Sequence, residues 1–258
     1  MKKITFVALL ITLCVAYFFY YDKPTTNNAQ LVNNNLVVGI SPDYPPYAQI
    51  DLETGEIIGL EVDVVKEIAQ RLNKNLIIKD MPFNSLIIEL NSGYIDVIAA
   101  GMCPSEERKK TILFSHPYID NDHNVIINKK SNPAFTSIKD LYGKSVAVNT
   151  GYTADSFLSK FPEISLTRLK SPTDGFMALQ SNSVDAFAVA QSIFQKFVRD
   201  QGNDFDYQIF ILPGSADACA LAYAKNNHKL QEEIDPVIDA MIADGTMGTI
   251  KKKWGFND

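Results

Sequence analysis

The stretch Ile95–Arg108, reading IDVIAAGMCPSEER, joins an apolar run, a loop of small residues and a late arginine. The run predicts a buried strand that breaks at Gly101, and the residues after Pro104 predict a charged helix whose first turn carries Arg108. A strand that opens into small residues exposes backbone N–H and C=O groups. A guanidinium adds a planar fork of donors matched to a carboxylate. Together they would hold a small acid by its carboxylate, with no obvious reactive chemistry. The competing reading makes Arg108 part of a solvated face, because Glu106-Glu107-Arg108-Lys109-Lys110 is a mixed-charge turn.

Other residues suited to binding cluster where strands end. Tyr44 and Tyr47 flank Pro45-Pro46 just after an apolar run, the edge at which α/β sheets place their ligand crevice. A tyrosine held by prolines is a rigid wall, or else an ordinary turn contact. Phe83 follows Met81-Pro82 and is either the opposite wall or a helix-start staple. Glu61 and Asp63 open a helical pattern, where the helix dipole alone accounts for acids. Glu61 and Asp43 lie on successive loops and could instead meet a cationic ligand end. Thr150-Gly151-Tyr152-Thr153 supplies hydroxyls and N–H groups at a helix start, a ready anion site. His116, His123 and His228 fall in no metal-ligand spacing, no Gly-x-Ser-x-Gly elbow is present, and no cofactor motif is found.

These residues must be positioned by a chain of 258 residues and net charge −6. That length supports one large or two medium domains, and the acidic balance argues against a nucleic-acid partner. Lys2-Lys3 followed by the apolar Ile4–Tyr21 predicts an export signal or N-terminal anchor over 1–21, then a polar tether over 22–35. Export with cleavage, or with lipidation at Cys14, is preferred to a permanent anchor. Cys103 and Cys219 could pair in an oxidising compartment or stay as buried thiols. Strands at Leu36–Ile40, Leu76–Ile78 and Ile95–Ala100 alternate with helices built on Val62, Val65, Ile68 and on Leu86, Ile87, Leu90. A second round places strands at Ser145–Asn149, Ile164–Leu169 and Val184–Ala188. The pattern predicts α/β architecture with mainly parallel sheet. Ile95-Asp96 and Val184-Asp185 each follow a helix and a polar turn, which suggests two similar lobes.

The motifs Val38-Gly39…Tyr44-Pro45-Pro46-Tyr47, Gly59-Leu60-Glu61-Val62-Asp63, Ser105-Glu106-Glu107-Arg108, Leu141-Tyr142-Gly143-Lys144…Gly151-Tyr152-Thr153 and Lys253-Trp254-Gly255 together resemble the periplasmic solute-binding proteins of ABC transporters, in their polar amino-acid-binding branch. The resemblance covers roughly 36–256. It implies a two-lobe type II binding-protein fold, with lobe 1 from 36–124 plus 219–258, lobe 2 from 125–218, and two crossover strands between them. It further implies a non-enzymatic, monomeric, periplasmic protein that carries a free L-amino acid to a permease. By the same resemblance Arg108 grips the α-carboxylate, helped by the backbone of Ala100, Gly101 and Met102 and by the loop of Thr150, Tyr152 and Thr153. Tyr44 and Phe83 sandwich the ligand side chain. The acid that takes the α-ammonium in such proteins aligns with Ala190, leaving Gln191 as a neighbouring substitute. Ser41 stands where basic-amino-acid binders often carry aspartate, with Asp43 and Glu61 close in sequence. The two walls and nearby acids favour arginine, then lysine or ornithine. Glutamine or glutamate binding, and a dehydratase-like enzyme on the same fold with Glu61 as its acid or base, are the alternatives.

Overall fold

Strands followed by helices return to the same sheet in parallel, since the helix carries the chain back to the starting edge. The computed structural model describes residues 34–201 and 206–256; the expected export segment and nearly all of the tether lie outside them. The chain opens with β1 (Asn35–Ile40), then a small antiparallel sheet of β2 (Asp43–Tyr44), β3 (Ala48–Ile50) and β4 (Ile57–Ile58). After it come α1 (Leu60–Arg71), β5 (Asn75–Asp80), α2 (Leu86–Ser92), β6 (Val97–Ile98), β7 (Ile112–Phe114) and the long β8 (Ile119–Lys129). The second round comprises β9 (Ser145–Asn149), α3 (Thr153–Leu158), β10 (Ser165–Leu169), α4 (Pro172–Gln180), β11 (Ala186–Ala190) and α5 (Gln191–Gln201). The chain returns through β12 (Tyr207–Cys219), β13 (Ala222–Ala224), α6 (His228–Ala243) and α7 (Thr246–Lys253).

Two five-stranded sheets result, in the orders β5-β1-β6-β13-β7 and β10-β9-β11-β8-β12. In the first, β1 runs parallel to β5 and β6, while β13 is antiparallel to both its neighbours. In the second, β9 runs parallel to β10 and β11, and β8 is antiparallel to β11 and β12. Strands β8 and β12 carry the chain between the sheets and pair with one another, Ile119 opposite Cys219. This is the two-lobe type II arrangement.

The recurring (I/V)-D element has one physical role in both lobes. Asp96 accepts the Val37 amide at 2.9 Å on a carboxylate oxygen and donates its own amide to the Val37 carbonyl at 2.8 Å. Asp185 does the same with Ser145, at 2.8 Å in both directions. Each aspartate thereby locks the first turn of one strand to the start of its neighbour.

Helix α1 buries Val62, Val65 and Ile68 and turns Lys66 and Gln70 outward, a one-sided apolar stripe. It has no capping side chain. Instead its first amides, Leu60 and Glu61, donate to the carbonyls of Pro46 and Tyr47, each at 3.0 Å. That approach requires Gly59, whose φ is +149° and whose absent Cβ would stand 2.1 Å from the Tyr47 oxygen. The proline loop is thus fastened to the helix before any ligand chemistry is considered. Helix α2 ends on Gly93 at φ +77°, the left-handed stop that its sequence predicts.

Candidate functional site

The loops that leave β1, β5, β6 and β9 converge at the carboxyl ends of these strands, the usual place for a ligand crevice. They carry Tyr44, Phe83, Gly101 to Arg108, and Gly151 to Thr153 to one cleft. The cleft is shut tightly. It leaves about 10 Å³ for the centre of a water-sized sphere, on the order of what one water needs.

Arg108 belongs to this cleft and not to a solvated face. The segment that follows Pro104 forms only a single 3₁₀ turn, Arg108–Lys110, in place of the longer charged helix expected from its composition. One guanidinium nitrogen donates to the Cys103 carbonyl at 3.0 Å and another to the Gly151 carbonyl at 2.9 Å. Its carbon sits 5.4 Å from the Phe83 ring centroid, within cation–π range. The guanidinium therefore spans the two loops expected to receive a carboxylate. The strand before it is shorter than Ile95–Ala100: pairing is confined to β6, and Ala99 leaves the ladder as the chain turns into the loop.

Tyr152 fills the aromatic slot. Its ring lies 4.5 Å from Tyr44 at an interplanar angle of 22°, and 3.9 Å from Phe83 at 20°. The ring comes from the loop after β9 in one lobe; both walls come from the other. It is 6 % exposed, and its hydroxyl has no hydrogen-bond partner. Thr153 lines the same cleft and exchanges hydrogen bonds with Asn124 on β8. Thr150 is turned away, with its hydroxyl on the Leu169 carbonyl, and the Gly151 amide is taken by Asp155 at 3.0 Å.

Several expected site residues stand behind the wall. Glu61 is wholly buried: one carboxylate oxygen accepts the Gly101 amide at 2.9 Å and the other the Tyr118 hydroxyl at 2.7 Å. Burial pushes its carboxyl up to about 7 against the opposing pull of those two bonds. It braces the Gly101 loop and does not line the cleft, so neither a ligand contact nor an acid–base role is open to it without rearrangement. Ala100 and Met102 are buried beneath the loop. Gly101 itself reaches the cleft at φ +58°, packed so closely on Tyr47 that a Cβ would meet the ring at 3.2 Å. Gln191 opens α5 outside the cleft lining, so it does not replace the acid missing at Ala190.

Ser41 donates to Asp43 at 2.8 Å at the outer end of the slot. Burial raises the Asp43 carboxyl above its ordinary value, and the charges of Asp80 and Asp174 add to that rise. Among the described residues, no group of three or more His, Cys, Asp or Glu converges as a metal site, and no helix is long and apolar enough to cross a membrane.

Besides Tyr47, the cleft is lined by Cys103, Asp122 and Cys219, which the sequence did not mark as binding residues. Tyr47 was recognisable as an aromatic near the prolines; Asp122 and Cys219 sit on the crossover strands and carried no signal. Cys103 and Cys219 are free and buried, and the Cys103 thiol beside Cys219, together with burial, pushes the Cys219 thiol well up.

A family model described as bacterial extracellular solute-binding proteins, family 3, matches residues 36–258. The arginine-binding extracellular protein ArtP of Bacillus subtilis (strain 168) is 28 % identical, over 98 % of this chain and 98 % of its own. The glutamine-binding protein GlnH of the same strain is also 28 % identical, over 90 % and 85 %. Among solved structures, a mutant of the arginine-binding protein from T. maritima superposes with TM-score 0.79 at 36 % identity, covering 86 % of this chain and 95 % of that one. An ancestral arginine-binding protein bound to arginine gives 0.80 at 32 %, covering 86 % and 98 %. The same kind of ancestral protein was also solved with glutamine. With the two-lobe fold, the cleft at the strand ends and a match running from β1 to the last residue, the chain belongs to family 3 of the bacterial extracellular solute-binding proteins.

Proposed function

We propose that the protein captures free L-arginine, or another basic amino acid, outside the cytoplasm and delivers it to an ABC permease. The chain is apportioned as lobe 1 (36–124 plus 219–258) and lobe 2 (125–218), and it works as a monomer, tethered or released at its N-terminus. Arg108 takes the α-carboxylate, in place of the carbonyls it now bridges. Tyr44 and Phe83 stack on the two faces of the ligand's side chain, in the slot occupied by Tyr152.

The observation that carries this reading is the slot itself. It accepts a flat group between two rings, and the Asp43 carboxylate acts electrostatically on the ring that fills it. A guanidinium is flat and cationic, stacks on aromatic faces and pairs with carboxylates. The arginine-binding relatives support the same choice. A neutral amide such as glutamine is the second reading, supported by the glutamine-binding relative and by an ancestral arginine-binding protein solved with glutamine bound. Titration calorimetry with the full set of amino acids distinguishes them. Arginine is expected to bind at least about tenfold more tightly than glutamine, roughly 1.4 kcal/mol. Glutamine bound with no arginine heat removes the basic assignment. Turnover of a cyclohexadienyl acid, with no tight amino-acid binding, replaces the transport reading with the enzymatic one.

A further inference from the structure

The cleft contains one guanidinium and one carboxylate among its described lining residues, Arg108 and Asp122. A free amino acid carries the complementary pair. We propose that Asp122 receives the α-ammonium of the bound amino acid, an assignment that rests on the amino-acid reading above.

The register explains how an acid on a different strand reaches this place. Ala190 closes β11 and contributes only a methyl group to the cleft. Antiparallel pairing sets Ala190 opposite Asn124 on β8. Past the end of that ladder, Asp122, two residues before Asn124 on β8, meets Ser192 in the first turn of α5. The Ser192 amide donates to one Asp122 oxygen at 3.0 Å, and its hydroxyl to the other at 2.6 Å. From the opposite side the Tyr47 hydroxyl donates to Asp122 at 2.6 Å. The side chain is held at 9 % exposure, next to the methyl of Ala190. A carboxylate so enclosed is oriented by fixed donors, and a cation brought into such a dry site meets it with little screening.

The position also ties recognition to closure. Asp122 lies on a strand that runs between the lobes, Tyr47 on the proline loop of the first lobe, and Ser192 at the start of α5 on the second. The three donors converge when the lobes are shut. An ammonium on Asp122 would therefore add to contacts that draw on both lobes, the kind of differential contact a ligand needs to shift a two-state equilibrium.

The test uses the full chain, L-arginine and its 2-hydroxy analogue, and L-glutamine with its own 2-hydroxy analogue, by calorimetry. Wild-type protein is expected to prefer the amino over the hydroxy form by about 100-fold or more. Asp122→Asn, matched in shape and lacking the charge, should reduce that preference to within a few fold, and Ala190→Asp added to it should restore most of it. Undiminished preference in Asp122→Asn overturns the assignment while leaving amino-acid binding intact. Failure of the wild-type protein to bind any amino acid overturns both. Should Asp122→Asn lose its cooperative melt, Ser192→Ala keeps the charge and loosens its orientation. It should weaken the amino form more than the hydroxy form; equal losses overturn the proposal.

Discussion

Replacing Glu61 by glutamine isolates the cost of the acid that braces the binding loop. In the unfolded chain its carboxyl titrates at about 4.5 and in the folded protein at about 7. Between those values the native state keeps a proton that the unfolded state has released. Native stability therefore falls as pH rises through this window and is flat, for this group, above it. Each pH unit between the two values costs about 1.4 kcal/mol, so the loss across the window is roughly 3 kcal/mol. Glutamine retains a carbonyl for the Gly101 amide and carries no charge. Its NH₂ reverses the bond with Tyr118, a cost of about 1 kcal/mol. Glu61→Gln should then be less stable than wild type by about 1 kcal/mol at pH 4 and more stable by about 2 kcal/mol at pH 8. Urea unfolding from pH 4 to 8.5, at unchanged m-value, reads the difference curve. Because every other titrating group is common to both proteins, only that difference counts. A difference that does not change with pH, or that moves in favour of wild type as pH rises, refutes the placement of a strained carboxyl beneath the loop.

The remaining expectations concern the cleft and its support. Arg108→Ala should reduce amino-acid affinity by at least about 100-fold, as removal of one partner of a buried charged pair does; unchanged affinity by calorimetry removes Arg108 from the carboxylate role. Tyr152→Thr deletes two ring stacks worth roughly 0.5–1.5 kcal/mol each that compete with the ligand. Binding should tighten between about fivefold and 100-fold, whereas weaker binding would make Tyr152 a wall of the site and not an occupant. Tyr152→Phe removes a buried hydroxyl that has no partner and costs about 1–3 kcal/mol in place, so it should favour the self-stacked form and loosen binding several-fold. Gly59→Ala forces a Cβ onto the Tyr47 carbonyl at positive φ; a loss of at least about 2 kcal/mol is expected in urea unfolding, and an unmoved midpoint would contradict the docking of the proline loop on α1.

What the sequence displayed was local and periodic. The apolar stripe of α1, the stop at Gly93 and the paired aspartates at 96 and 185 each follow from residues a few positions apart. The two walls and Arg108 were also legible, the arginine only once several motifs were weighed together. What stayed hidden depends on distant neighbours. Glu61 looks like a dipole-favoured acid at a helix start, and nothing nearby announces that the first turn is docked on a proline loop, which leaves the acid pointing inward. Asp122 falls in Asp120-Asn121-Asp122-His123-Asn124, a polar run that reads as loop. It is strand because β12 pairs with it, Asp217 opposite Asp122, and it has no apolar alternation because it crosses between lobes. Tyr152 offers no sign of its slot, since both walls belong to chain made long before it.

The order of strands in the first sheet bears on biosynthesis. Its fourth member, β13, lies between β6 and β7 and follows the whole second sheet in the chain. A nascent polypeptide that has not yet reached Ala222 can assemble the strands of the second sheet, while β7 still lacks the neighbour that joins it to β6. The first half of the molecule thus waits on the last strand to close its sheet, a long-range pairing that is slow to form. For a family that works outside the cytoplasm, such lateness leaves β7 and one edge of β6 without a partner until synthesis is nearly over.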